Sequence, residues 1–167
     1  MKLALICLTL FVLPFGMMAQ KPIVSSGKIE YIKHFKSQYV AKRAIEIWLP
    51  NGYTPNKKYA VLYMHDGQML FDAEICWNKQ AWEVDETAST LQAEKKTRDF
   101  IVVGINNTTK RHPEYFPQKP YESLSVAEQQ FVTQALKDKG RITDTFTPLA
   151  DAYLRFIVFE LKPYIDS

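Results

Sequence analysis

The sequence predicts an α/β fold, and three observations carry the prediction. Two apolar runs, 59–64 and 100–105, contain no charged residue, as strands of a parallel sheet covered on both faces do. Between them the period lengthens, with Ala81, Val84, Ala88 and Leu91 recurring at helical spacing. The first run then ends abruptly in His65-Asp66-Gly67-Gln68, a polar, glycine-containing turn at the place where open α/β sheets put their sites.

Upstream, 28–35 and 40–49 alternate apolar and polar residues (Ile29, Tyr31; Ile45, Ile47, Leu49), the pattern of half-exposed strands, and predict an antiparallel pair. Pro50-Asn51-Gly52 and Thr54-Pro55-Asn56 turn the chain into the first apolar run. The helix that follows starts from an Asn78 cap and ends in Lys95-Lys96, where the dipole favours cations. Strand, helix and strand over 59–105 form a crossover unit. Asn106 to Glu122, rich in Pro and Tyr, reads as the longest irregular stretch and hence as a functional loop.

Two helices follow. Ser125 and Glu128 make a capping box, Ala127, Phe131 and Ala135 form a stripe, and Gly140 terminates the first. The second opens at Thr147-Pro148, buries Leu154, Ile157, Val158, Leu161 and Ile165, and is limited or kinked by Pro163.

The 167 residues, 47% hydrophobic, suffice for the core of one domain. Residues 1–19 read as a signal peptide, with Lys2, an apolar block from Leu3 and a cut after Ala19, leaving 20–167 as the domain portion and the protein secreted or periplasmic. A lipoprotein signal at Cys7 is disfavoured because the apolar block mostly follows that cysteine. Without the leader Cys76 stands alone, so no intrachain disulfide is expected. A net charge of +3 with acids and bases interspersed argues against a nucleic-acid partner, and no membrane contact is expected after cleavage.

Ester hydrolysis by a serine enzyme needs an activated hydroxyl, a histidine held by a carboxylate, and backbone donors for the oxyanion. Only the donors are plausible here, around Gly67, Gln68 and Met69, with Gly67 permitting close backbone approach to a substrate. No Gly-x-Ser-x-Gly occurs in the chain. His65, Asp66, Asp72 and Cys76 lie close in sequence, but none of the three histidines forms a metal-binding pair, and no metal is expected. No phosphate loop is present, so no cofactor is implied. Trp48, Trp77 and Trp82 read as core or rim packing before sugar stacking. Arg111 and Tyr115 admit two readings: they line the cleft, or Arg111 pairs with Glu114 while Tyr115 plugs the loop.

The ordered stretches AIEIWLPNGY (44–53), VLYMHDGQMLFD (61–72), Trp77 to Trp82, IVVGINN (101–107), RHPEYFP (111–117) and FIVFELKPYID (156–166) resemble the esterase family of α/β-hydrolases. That group includes enterochelin esterases, S-formylglutathione hydrolases, feruloyl and acetylxylan esterases and some mycolyltransferases. The resemblance implies the N-terminal half of an α/β-hydrolase fold, ending before the nucleophile strand, with serine, acid and histidine all beyond Ser167. It implies a small-molecule or carbohydrate-linked ester as substrate, and an oxyanion site at Gly67 and Gln68 with the Gln68 N–H foremost. His65, Asp66, Met69, Arg111 and Tyr115 are then candidate cleft residues. Asp66 is expected to brace the turn by accepting backbone hydrogen bonds rather than to act as catalytic acid. Two alternatives share the scaffold: a non-catalytic carbohydrate-binding or interaction module, and an acyltransferase that excludes water.

Overall fold

Among the described residues four strands form one mixed sheet in the order β1-β2-β4-β3, where β1 is Lys28–Phe35, β2 Arg43–Leu49, β3 Ala60–His65 and β4 Phe100–Ile105. The computed structural model describes residues 20–143 and 145–167. The signal peptide expected at 1–19, with Cys7, lies outside the described residues. β1 pairs antiparallel with β2, in register from Lys28 opposite Leu49, and β2 pairs antiparallel with β4. β3 and β4 run parallel, joined through helix α1, Val84–Ala93.

Strand alternation explains the two cores. Ile45, Ile47 and Leu49 of β2 join Ile101, Val103 and Ile105 of β4 on one face, under Tyr153, Phe156 and Leu161 of the C-terminal helix. Trp48 and Val102 point the other way, against Leu70, Phe71 and Ala88 of α1. β2 is therefore buried throughout, where its alternation suggested a half-exposed strand. Its one charged residue on the second face, Glu46, is an interior residue.

β3 departs from expectation in the opposite sense. It is the edge strand among the described residues, as the resemblance implies for a chain without the nucleophile strand, but Leu62, read as covered on both faces, is 44% exposed. Apolar runs report composition, not the presence of a neighbour.

The helices differ from their sequence signals for identifiable reasons. α1 starts at Val84 after a left-handed Glu83, while Asn78 only accepts a local hydrogen bond from the Gln80 N–H at 3.2 Å. It ends before the lysines: Lys95 adopts a left-handed conformation at φ 54°, and the Lys95 and Lys96 N–H groups close back on Gln92 and Leu91. The stretch after β4 is not irregular. It contains α2 (Arg111–Tyr115) and α3 (Gln118–Glu122), whose Pro113 and Pro120 sit in first turns, where an absent N–H costs nothing.

α4, Val126–Asp138, has the predicted capping box, with Glu128 N–H to Ser125 Oγ at 3.4 Å and Ser125 N–H to the Glu128 carboxylate at 2.8 Å. Its expected apolar stripe is not buried, and Phe131 is 74% exposed. The C-terminal helix comprises α5 (Ala150–Phe156), a π turn (Ile157–Leu161) and α6 (Lys162–Asp166). The wider turn places Phe156 and Leu161, five apart, together in the core, and leaves Leu154 and Val158 exposed against expectation. It also precedes Pro163, whose ring would clash with the Phe159 carbonyl in a regular α-helix. No helix among the described residues is long and apolar enough to cross a membrane.

The unpaired β3 edge with Leu62 outward is a template for strand addition. The 167-residue chain is expected to self-associate in sedimentation velocity, and Leu62→Lys to raise its monomer fraction. A monodisperse wild-type monomer would contradict this.

Candidate active site

At the carboxyl end of β3 the chain enters a one-turn 3-10 helix, Gly67–Met69. Asp66 makes the entry in a left-handed conformation, φ 54° and ψ 45°, which Asp tolerates better than most residues. The turn closes with Met69 N–H to the Asp66 carbonyl at 2.8 Å and Leu70 N–H to the Gly67 carbonyl at 3.1 Å. Its hydrogen bonds thus begin at Met69, leaving the Gly67 and Gln68 N–H groups unused by the turn.

Gly67 is required by packing. A Cβ there would lie 2.4 Å from Asn106 Oδ1 and 2.7 Å from the Gly104 carbonyl carbon. A Cβ on Gly104 would in turn meet Leu70 Cδ1 at 2.9 Å and Gly67 Cα at 3.2 Å. The two glycines let the turn rest directly on β4. Close approach to a substrate, the expected reason for Gly67, is not the constraint visible here.

Asp66 braces the turn through side chains, not through the backbone hydrogen bonds expected. It accepts from Asn107 Nδ2 at 2.6 Å and from Arg111 Nε and NH2 at 2.8 and 2.7 Å, with the Tyr115 hydroxyl at 3.4 Å. Burial pushes the Asp66 carboxyl up, but the Arg111, Asn107 and Tyr115 hydrogen bonds outweigh it and hold the group below the usual range. Gln68 is tied down as well, its Oε1 accepting from the Asn107 N–H at 3.1 Å.

The expected pairing of Arg111 with Glu114 does not form, since Arg111 forks onto Asp66. Glu114 instead receives both terminal nitrogens of Arg43, at 3.0 and 2.6 Å, with both side chains 1% exposed. This buried pair ties the start of β2 to α2 across 71 positions, and no local sequence pattern announces it. Arg43 also lies over the Tyr153 and Phe156 rings at 5.0 and 5.2 Å.

His65, Tyr115 and Tyr153 form an aromatic group with centroids 5.1 to 5.5 Å apart, and His65 Nδ1 is 2.9 Å from the Tyr153 hydroxyl. Desolvation lowers the His65 pKa, with Asp66 opposing and Arg111 assisting. Met69, a candidate cleft residue, is buried in the interior at 6% exposure. Cys76 is buried and free, its Sγ within 3.4 Å of the Gln68 carbonyl. Trp48 is interior, whereas Trp77 and Trp82 are 80% and 52% exposed. Among the described residues no three His, Cys, Asp or Glu side chains converge as a metal centre would require.

Glu46 was missed by the sequence reading. It is 1% exposed, and both its carboxyl oxygens lack a hydrogen-bond partner, as does the neighbouring Asn106 Oδ1. Burial raises its pKa to about 7, with Asn106 opposing and Asp72 adding. Only its place in an alternating strand, opposite Tyr31 and Gly104, signals an inward acid.

Open depressions of about 480, 690 and 750 Å³ lie near Asn51, Lys58 and Ala73, and none includes His65 to Gln68. Asp66, Gly67 and Met69 are buried and Gln68 is half-buried.

This architecture, a mixed sheet with helices on both faces and an amide-bearing turn after a parallel strand, is that of part of an α/β-hydrolase esterase. The chain belongs to the Putative esterase family, whose model matches residues 38–167. The structure is similar to the BES protein from Bacillus cereus, with 21% identity and TM-score 0.51 over 88% of this chain and 48% of that one. An IroE-like serine hydrolase from Shewanella oneidensis matches at 24% identity and TM-score 0.49, over 83% and 38% of the respective chains. The ferulic acid esterase AmCE1/Fae1A from Anaeromyces mucronatus, in complex with ferulic acid, matches at 18% and 0.48, over 89% and 46%. The chain thus spans less than half the length of these structures.

Two stability measurements follow. Removing one partner of the buried pair strands the other charge, so Glu114→Ala is expected to cost about 3–5 kcal/mol in urea unfolding. Arg111→Ala, at a 40% exposed side chain, is expected to cost clearly less, and equal losses would contradict the assignment of Arg43–Glu114 as the buried tie. For Glu46, the folded state holds its proton more tightly than the unfolded chain. Its contribution is therefore full below about pH 4.5 and declines, by about 3 kcal/mol in all, as pH rises to about 7. Glu46→Gln is expected to abolish that decline between pH 5 and 8, and a variant curve parallel to wild type would refute it.

Proposed function

We propose that this chain supplies the oxyanion side of a carboxylic-ester hydrolase that works through a serine acyl-enzyme. The Gln68 N–H, with Gly67 beside it, binds the carbonyl oxygen of the ester as it gains charge during serine attack. The observation that carries the reading is the 66–69 turn, which spends none of its own hydrogen bonds on these two amides.

Electrostatics supports the same reading. A carboxylate beside a developing oxyanion raises the barrier unless it is neutralised, and Asp66 is neutralised by the two-toothed contact from Arg111. Asn107 fixes Asp66 and Gln68 together, so the amides are set before substrate arrives. Such fixed donors need no reorganisation in the transition state. His65 and Tyr115 stand on the same side as Asp66 and are the proposed cleft lining. Nucleophile, acid and base are assigned to a Gly-x-Ser-x-Gly elbow and later residues beyond Ser167. The substrate class is a small-molecule or carbohydrate-linked ester, and the protein is exported through the 1–19 leader.

The test is p-nitrophenyl acetate hydrolysis by the complete enzyme. Gln68→Pro, which deletes the donor, is expected to lower kcat by about 10²-fold or more with the fold retained by circular dichroism. An unchanged kcat would remove Gln68 from the site.

A further inference from the structure

The pole of the sheet opposite the 66–69 turn is strongly cationic, and the hydrolytic reading makes no use of it. β3 and β4 both start there, at Ala60 and Phe100. Two open depressions of about 480 and 690 Å³ lie side by side at this pole and share Lys57, Tyr59, Gln92 and Asp99. The larger is also lined by Lys58, Lys95 and Arg98. Lys57 is paired with Asp99, whereas Lys58, Lys95 and Arg98 are exposed and form no ion pair among the described residues. Four cations against one carboxylate leave three positive charges here, as many as the formal net charge of the whole chain. Bases that are interspersed with acids along the sequence are thus gathered by the fold at one place, and the charges elsewhere balance.

The walls of this pole are held together by hydrogen bonds. Gln92 spends both ends of its side-chain amide on the Phe100 backbone, at 3.1 and 3.4 Å, and the Ala60 N–H bonds the Asp99 carbonyl at 3.1 Å. Tyr59 stacks on Tyr53 with centroids 5.0 Å apart, and its hydroxyl accepts from the Thr54 N–H at 3.2 Å. Asn51, Ser89 and Thr90 add an amide and hydroxyls to the smaller depression. A concave, cationic surface with such neutral groups suits an acidic glycan, whose anionic groups meet the cations while its hydroxyls meet the amides and hydroxyls. A membrane surface suits it less, because no exposed large apolar side chain among the described residues lies in 50–59 or 93–99 to insert into lipid. Duplex nucleic acid is disfavoured by number, since four cations fall short of about 6–10 phosphate contacts.

We propose that this pole binds an acidic carbohydrate chain, one bearing carboxylate or sulfate groups, through Lys58, Lys95 and Arg98. The proposal goes beyond the esterase reading and does not rest on it. β3 runs from Ala60 at this pole to His65 at the turn, so the two places stand roughly 17 Å apart at about 3.3 Å per residue. A glycan held at one leaves the other free. In the smaller depression Ser26 and Pro50 to Gly52 come from the β1–β2 side of the sheet, away from the unpaired β3 edge, so a strand added at that edge lies on the other side.

The experiment is calorimetric titration of the complete enzyme with an oligogalacturonate, each of whose sugars carries a carboxylate, and with a neutral galacto-oligosaccharide of equal length. The acidic chain is expected to bind and the neutral one not, with affinity falling about tenfold or more as salt rises and screens the pole. The variant combining Lys58→Ala, Lys95→Ala and Arg98→Ala is expected to lose about tenfold or more in affinity, as steering by a local field requires. A control combining Lys33→Ala, Lys36→Ala and Lys42→Ala removes as many charges from exposed positions outside the pole and should bind as wild type does. In ¹H–¹⁵N spectra of the wild type the amides of 57–60 and 95–99 should shift on binding, while those of 66–69 stay in place. No binding by the complete enzyme, equal loss in both variants, or shifts confined to residues outside the pole would each overturn the proposal. So would tighter binding of duplex DNA or of anionic phospholipid vesicles than of the glycan. Hydrolysis of p-nitrophenyl acetate is expected to be unchanged in both variants and is measured separately, so an inactive enzyme that binds the glycan counts against the esterase reading alone.

Discussion

The contact between Gly67 and Gly104 is the constraint from which the site follows. A strand that ends in a turn ordinarily lets the turn project into solvent, free to fray. Here two residues without side chains bring the 3-10 turn onto the backbone of β4, and any Cβ at either position would push them apart. The left-handed Asp66 and its ties to Arg111, Asn107 and Tyr115 then fix the orientation of what has been seated. Packing sets the position of the amides, and hydrogen bonds set their direction.

A second layer holds that clamp in place. Arg111 and Tyr115 reach Asp66 only because α2 is anchored, and its anchor is the interior pair of Glu114 and Arg43. A buried ion pair contributes little net stability, since desolvation offsets much of the attraction, but breaking it is expensive. That asymmetry suits a positioning role. On the opposite face the Glu46 carboxyl is buried, and Asn106 Oδ1 abuts Gly67 beneath the turn.

Much of the scaffold is legible in the sequence because its signals are local. The alternation of β1 and β2, the apolar run of β4 and the Ser125–Glu128 box all depend on neighbours a few positions apart, and each appears where its pattern places it. Features decided by distant partners are not legible. Arg43 and Glu114 meet across the fold, and Glu46 becomes interior only when β4 and the turn cover it. Prolines misled for a related reason, since Pro113 and Pro120 break a helix interior but suit a first turn. The π turn shifted the buried face of the last helix in a way that a fixed period of 3.6 does not anticipate. At the site, the sequence pointed to Gly67 and Gln68, while the reason for the glycine and the partners of Asp66 required the fold.

The central claim is that the Gly67 and Gln68 amides receive the charge that develops on an ester oxygen. Reaction of the complete enzyme with an aryl phosphonate, which leaves a tetrahedral anionic oxygen on the attacked serine, tests it most directly. The Gln68 amide proton is expected to move strongly downfield on formation of the adduct, with a smaller movement at Gly67. A serine adduct that leaves both resonances where they were would contradict the account.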